Sequence, residues 1–232
     1  MSKQSVTGAR RRYRKRRRAQ LEQATRLRIT EAAVELHGSI GPARTTISAV
    51  AERAGVQRAT VYRHFPDEDA LFDACSSHWL AQHPLPDPAP WARIADPAKR
   101  LRLALAELYD WYEQGEYMLE KTTRDLALVP ALRPSMEAFS GWLDAAAEAI
   151  LRGRPERGAR RRLRAAVGHA LAFETWRSLA IHQGLSRSET LELMEALAAA
   201  AGRDRGVTDL AHPTSSSLPA SGETQPTSAC SL

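Results

Sequence analysis

Cysteine is almost absent from this chain: Cys75 and Cys230 are the two it has. They make no CxxC pair, no metal-ligand spacing and no disulfide framework, and two unpaired thiols suit a reducing, cytoplasmic setting. Aromatic residues are scarce at 6%, and no run of eighteen apolar residues occurs, so the sequence offers no membrane span. The basic opening, MSKQSVTGARRRYRKRRRAQ, lacks the apolar stretch that a secretory or twin-arginine signal would carry. Missing too are the constellations an enzyme needs: a nucleophile beside a base, paired carboxylates, a Gly-rich phosphate loop. His78 and His83 lie near Cys75 but without the one-turn spacing of a helical metal site. The expectation is no catalytic centre, no metal and no cofactor.

What is present points to helix. Ala, Leu, Arg and Glu dominate, and all four favour helix, while β-branched residues are few. With 43% apolar residues over 232 positions, a sizeable all-α core can form. The net charge of +6 is unevenly placed: residues 1–30 carry eleven Lys and Arg against Glu22 alone, +10, leaving −4 for the rest. A mildly acidic body with a strongly basic front end implies a polyanion met at one place.

Four segments follow from the pattern. Residues 1–19 hold eight basic residues in the nine from Arg10 to Arg18, and self-repulsion predicts a disordered arm. Over 20–82, Ile29, Ala32, Ala33, Leu36 and Ile40 recur on one helical face, and Gly38, Gly41 and Pro42 end that helix. Thr45 or Thr46 caps a short second helix with Ile47, Val50, Ala51 and Ala54 inward; Gly55 breaks it. A third helix runs over about 57–64, and Asp67 caps a fourth. Five prolines in residues 83–97 mark a linker or loop. Residues 83–201 then read as helices over about 97–114, 116–127, 131–152, 156–183 and 187–201, and 202–232, rich in Ser, Pro, Thr and Gly, as a disordered tail.

The stretch TTISAVAERAGVQRATVYRHF, residues 45–65, carries the functional signal. Two short helices meet through a glycine turn, with small Ala51 four residues before it, which is a helix-turn-helix. Val61 and Phe65 face inward. Gln57, Arg58 and Thr60 stand at the outward N-terminus of the second helix, where Arg matches guanine, Gln matches adenine and the Thr methyl matches thymine. Tyr62, Arg63 and His64 are placed to hold phosphates, with Thr45 and Thr46 from the first helix and Arg16, Arg17 and Arg18 from the arm. The arm also suits a minor-groove contact.

Residues 21–75 resemble the DNA-binding domain of the TetR family of transcriptional regulators, through TTISAVAERAGV, ATVYRHF and the ALF of the next helix. Ala59 stands where the family usually has glycine, small enough for close approach to DNA. Glu68 stands where many members carry lysine, which removes one phosphate contact. The resemblance implies a larger C-terminal domain that binds a small-molecule effector and dimerises, and it favours a repressor over an activator. A sequence-indifferent architectural DNA-binding protein is the alternative that the arginine-rich arm keeps open. Helices containing RRLRAAVGHALAFETWRSLAIH and SETLELMEALAAAA, the latter with Leu191, Met194, Leu197 and Ala198 on one face, could build a four-helix homodimer interface. Candidate pocket residues are Tyr109, Tyr112, Met118, Arg124, Trp142, His169, Phe173 and Trp176, a mostly apolar set with a few polar groups. The partners expected are double-stranded DNA, an effector and a second copy of the chain, with no membrane.

Overall fold

In the computed structural model the backbone is described for residues 3–153 and 159–203, and side chains for 10–153 and 160–203. The architecture is all-helical among the described residues, and none of these helices is long and apolar enough to cross a membrane. The expected 202–232 tail lies outside the described residues from 204 onward.

The first helix, α1 (Lys3–Ser39), absorbs the basic arm instead of starting after it. The charge run that predicted disorder is made of Arg and Lys, both good helix formers, with Tyr13 alone between them. The buried half of α1 supplies the nucleus, so each added residue needs only propagation. Arg18 and Glu22 add an i,i+4 ion pair at 3.1 Å. Every residue from Arg10 to Ala24 is exposed.

Three further helices complete a small domain. Thr46, not Thr45, caps α2 (Ile47–Arg53), accepting from the Ala49 amide at 3.1 Å. Gly55 at φ +65 reverses the chain, and the Val56 amide reaches back to the Ala51 carbonyl at 2.9 Å, a Schellman closure. Next come α3 (Arg58–His64) and α4 (Glu68–Gln82), the latter capped by Asp67. Ile29, Ala33, Val50, Ala51, Val61, Phe65, Leu71 and Cys75 form this domain's core.

The proline-rich segment is not a free linker. It folds into a one-turn helix, α5 (Pro88–Trp91), whose Trp91 is fully buried and donates to Glu107 at 2.7 Å. The body is then built around α6 (Pro97–Asp125), followed by α7 (Arg133–Leu151), α8 (Ala159–Leu171), α9 (Phe173–Trp176), a π-helical stretch over Arg177–His182, and α10 (Arg187–Gly202). Gly115, expected to interrupt α6, does not. It gives room to Trp79 of α4: a Cβ there would sit 3.1 Å from the indole. Trp79 thus belongs to the body's core although it lies on a helix of the small domain.

The helix expected over 156–183 is broken at Ala172, whose ψ of 136 is extended. The break exposes carbonyls inside the core, and two tyrosines of α6 satisfy them. Tyr109 Oη donates to the Ala170 carbonyl at 2.7 Å, and Tyr112 Oη to the Leu171 carbonyl at 2.6 Å. Burial pushes both phenols above the ordinary tyrosine value, Tyr109 well out of the physiological range, so they remain donors. On α10, Leu191, Met194 and Ala198 face the body's own core, so this part of the expected dimer face is internal; Leu193 and Leu197 are exposed instead.

Tyr112→Phe keeps the ring but strands the Leu171 carbonyl, and should cost about 1–3 kcal/mol in denaturant unfolding; an unchanged midpoint would mean the carbonyl finds water. His37, buried on α1 and stacked on Phe72 at 4.7 Å, has its pKa lowered by desolvation to about 4. The folded state therefore binds this proton less readily than the unfolded chain. Its contribution is complete above pH 6.5 and is lost as pH falls toward 4, by about 3 kcal/mol. His37→Phe should flatten that part of the stability–pH curve; an identical acid limb would refute the assignment.

Candidate nucleic-acid interface

The site begins with which face of α3 is spent on packing. Val61 and Phe65 are buried, and that fixes the opposite face outward. Gln57 sits at the N-cap of α3 in extended conformation, and its side chain does not cap the helix. Gln57, Arg58, Ala59, Tyr62 and Arg63 are exposed, and Thr60 and His64 are half-buried. None of Gln57, Arg58, Tyr62 or Arg63 engages another described side chain in a hydrogen bond or ion pair. A helix that shows amide, guanidinium, methyl and phenol groups on one face, uncommitted, is chemically equipped to meet base edges and phosphates.

The helix-turn-helix is braced from α1. Arg53 of α2 pairs with Glu35 of α1, with Nε to Oε2 at 2.7 Å. Arg26 of α1 lies over the Phe65 ring at 4.0 Å and donates to the His64 carbonyl, so one guanidinium closes the end of α3. Arg26 carried no sequence signal for this role, because its partner is thirty-eight residues away. Between these elements lies a shallow cleft of about 350 Å³ lined by Glu22, Gln23, Arg26, Arg63 and His64. His64 Nε2 is shielded there without a partner among the described residues. Desolvation, then Arg63 and Arg26, hold the His64 pKa below 6.5, against a smaller opposing pull from Glu22.

The two threonines divide. Thr45 turns its hydroxyl proton to the Gly41 carbonyl at 2.9 Å, so it is spent on its own turn. Thr46, the α2 cap, uses an acceptor lone pair and keeps its proton to donate. Arg16, Arg17 and Arg18 are exposed on the helical arm.

The candidate pocket residues do not form one set. Tyr109, Tyr112, Phe173 and Trp176 come together at the break after α8, with Tyr112 5.3 Å from Phe173 and 5.7 Å from Trp176. Trp142 joins at one remove, stacked on Phe139 at 6.1 Å and set edge-on to Trp91. His169 is exposed and shares a hydrogen bond with Thr175. Met118 and Arg124 lie elsewhere, because α6 carries them toward the small domain. Met118 packs at Gly38 of α1, and Arg124 reaches the Ile40 carbonyl. None of the eight lines the open groove of about 450 Å³ between α6 and α10. His78 bonds to Gln82, and His83 stacks on Trp79 at 4.7 Å, so neither turns toward Cys75.

The feature that sequence reasoning missed is the joint between domains. Buried Asp125, the last residue of α6, accepts from the Ala43 amide at 2.9 Å, in the turn that feeds α2. Arg124 holds the Asp125 carboxyl below the usual carboxylate range, with Ala43 assisting. Gly41, at φ +95, admits both: any Cβ would collide with the Arg124 guanidinium and the Asp125 carboxylate. The adjacent Arg-Asp pair reads in sequence only as a solvated helix end.

Residues 29–75 match the family model described as bacterial regulatory proteins, tetR family. No curated protein matches the chain by sequence. Among solved structures, a TetR-like transcriptional regulator from Rhodococcus sp. RHA1 is similar at TM-score 0.55 and 18% identity, covering 77% of this chain and 97% of that one. A TetR transcription regulator from Haloarcula marismortui is similar at TM-score 0.51 and 18% identity, over 78% and 97%. NalD, the secondary repressor of the MexAB-OprM multidrug efflux pump in Pseudomonas aeruginosa, is similar at TM-score 0.50 and 22% identity, over 77% and 95%.

The electrostatics of the cleft can be measured directly. In the free protein the His64 imidazole should titrate below 6.5 by NMR, and Arg63→Ala should move it upward by removing one positive neighbour. A titration that ignores Arg63 would show that their side chains do not share the cleft.

Proposed function

We propose that this chain, whose residues 29–75 match the model of the tetR family of bacterial regulatory proteins, acts as a ligand-responsive transcriptional repressor of that family, binding a palindromic operator as a homodimer in the cytoplasm. The observation that carries this reading is the division of α3 into a buried face and an uncommitted polar one. Each subunit lays α3 in a major groove, with Gln57, Arg58 and Thr60 toward base edges. Ala59 allows close approach, and Tyr62, Arg63, His64 and Thr46 hold the backbone.

Dimerisation is assigned to α8 and α10. Leu193, Leu197 and Ala200 recur at four- and three-residue spacing on the exposed side of α10, and Ala165 and Gly168 are exposed on α8. Small residues beside leucines permit the close approach that a four-helix contact needs. The effector is assigned to the aromatic cluster at the break after α8, where Tyr109, Tyr112, Phe173 and Trp176 meet. A ligand that competes for the tyrosine hydroxyls changes the packing of α6, and it regulates only if it binds the two reader separations unequally. The repressor role is supported by the description of NalD, a protein similar in fold, as a repressor.

The test is binding to DNA upstream of the chain's own gene and to sites selected from random duplexes, with footprinting and a scrambled competitor. A protected near-palindrome is the expected result; indifference to sequence would overturn the reading. At that site Arg58→Ala should cost about 1–3 kcal/mol and relax preference at one base pair. Arg63→Ala should weaken all sequences alike and lower the salt slope by about one per subunit. Equal effects from the two would remove the division between readers and holders.

A further inference from the structure

We propose that the helical arm of α1 is a second DNA-contacting element, which lies along the phosphate backbone of the duplex flanking each half-site and uses one defined stripe: Arg12, Lys15 and Arg16. This rests on the reading of α3 as the DNA reader.

A disordered arm would present its charges in no fixed direction. Here the arm is helical and continuous with the buried half of α1, so each side chain's bearing is set by the helical period. The side of α1 that meets the reader is marked by Glu22, Gln23 and Arg26, which line the cleft with Arg63 and His64. Counting back at helical spacing, Arg26, Gln23, Ala19, Arg16 and Arg12 recur at intervals of three and four, with Lys15 beside them. Arg12, Lys15 and Arg16 therefore extend the reader-side face of the cleft. All three are exposed, and none engages another described side chain. Arg10, Arg14 and Arg17, also exposed and at i, i+4 and i+7, fall roughly on the opposite side of the axis, so in this proposal Arg17 is not among the phosphate holders that the sequence grouped with Arg16. Arg18 is paired with Glu22.

Geometry selects the partner and the mode. A helix with side chains is about 10–12 Å across, and the minor groove is about 6 Å wide, so a helical arm is excluded from the minor groove that a disordered one could enter. From Arg26 to Arg12 the axis advances about 21 Å, the length of about six base pairs. The face starts at the end of α3 with Arg26, passes through Gln23, Glu22 and Ala19, and becomes cationic again at Arg16, Lys15 and Arg12, so these three meet the same duplex outside the segment that α3 reads. Glu68 at the start of α4 offers no cation to phosphate, and the arm supplies positive charge that α4 does not.

The experiment uses the full chain and two triple variants of equal charge: R12Q/K15Q/R16Q on the reader side and R10Q/R14Q/R17Q on the far side. Glutamine keeps helix propensity, and circular dichroism checks it. The probes are a site recovered by selection from random duplexes, once trimmed to the palindrome and once flanked by ten unrelated base pairs on each side. Wild type should bind the flanked duplex at least tenfold more tightly. The reader-side triple should lose that preference and reduce the salt slope by up to about 2.7 per subunit, while keeping affinity for the trimmed site. The far-side triple should retain both. Equal losses in the two triples, or no effect of flank length in wild type, overturn the proposal. A wild-type chain that finds no specific site at all overturns the reader assignment instead, a distinct result.

Discussion

One hydrogen bond fastens the turn that feeds α2 to the end of α6: the Ala43 amide to the carboxylate of Asp125. It is made in the turn that leads into α2, and α2 in turn positions α3 through the Gly55 reversal. The bond needs a chain path that only positive φ at Gly41 permits, and it needs a carboxylate kept ionised in a buried place. Arg124 provides the second condition, and its own reach to the Ile40 carbonyl fastens the turn on the other side. A buried charge is tolerated because each of its partners is a donor already held in position.

The same helix that ends at this joint supports the body along its length. At its start, buried Arg100 donates to the Ile94 carbonyl and to carbonyls at the end of α7, where a cation also suits the helix dipole. In its middle, Tyr109 and Tyr112 hold the broken end of α8. Near its far end, Gly115 receives Trp79, whose indole donates to Tyr117 at 3.2 Å. Because α6 is one continuous helix, the break after α8 and the joint at Ala43 are attached to a single rigid element about 43 Å long. A chain of ring contacts from Tyr112 through Trp111 to Trp79 of α4 joins the aromatic cluster to the small domain as well.

The aromatic cluster shows why scarce residues can be decisive. Only 6% of the chain is Phe, Trp or Tyr, yet Trp91, Tyr109 and Tyr112 are among its largest fully buried side chains. Each also carries a polar atom that must be satisfied, and each is: by Glu107, by Ala170 and by Leu171. The pairing lets the helix break at Ala172 sit against the core at small cost, since the Ala170 and Leu171 carbonyls freed by the break are not left bare. Arg177, at the start of the π-helical stretch, pairs with Glu116 of α6 at 2.9 Å, so the segment is tied to α6 at a third point.

The helix-turn-helix was legible in the sequence because the determinants of its helices and turn are local. Val50, Ala51, Val61 and Phe65 declare their buried faces by spacing, Thr46 and Gly55 mark the ends of α2, and the outward residues of α3 follow by subtraction. The all-helical class and the bounds of α10 were legible for the same reason. Local pattern misjudged α6, where Gly115 reads as a breaker until Trp79 arrives from α4, and the arm, where charge density argued for disorder until the folded half of α1 supplied a nucleus. It also scattered the pocket candidates, because adjacency along α6 says nothing about which end meets which domain. The joint of Asp125 with Ala43, the capping of α3 by Arg26 and the tyrosines at the α8 break join residues 82, 38, 61 and 59 positions apart. Periodicity and capping determined what each segment is; which polar groups the segments hand to one another was decided only when packing brought distant donors and acceptors within hydrogen-bond reach.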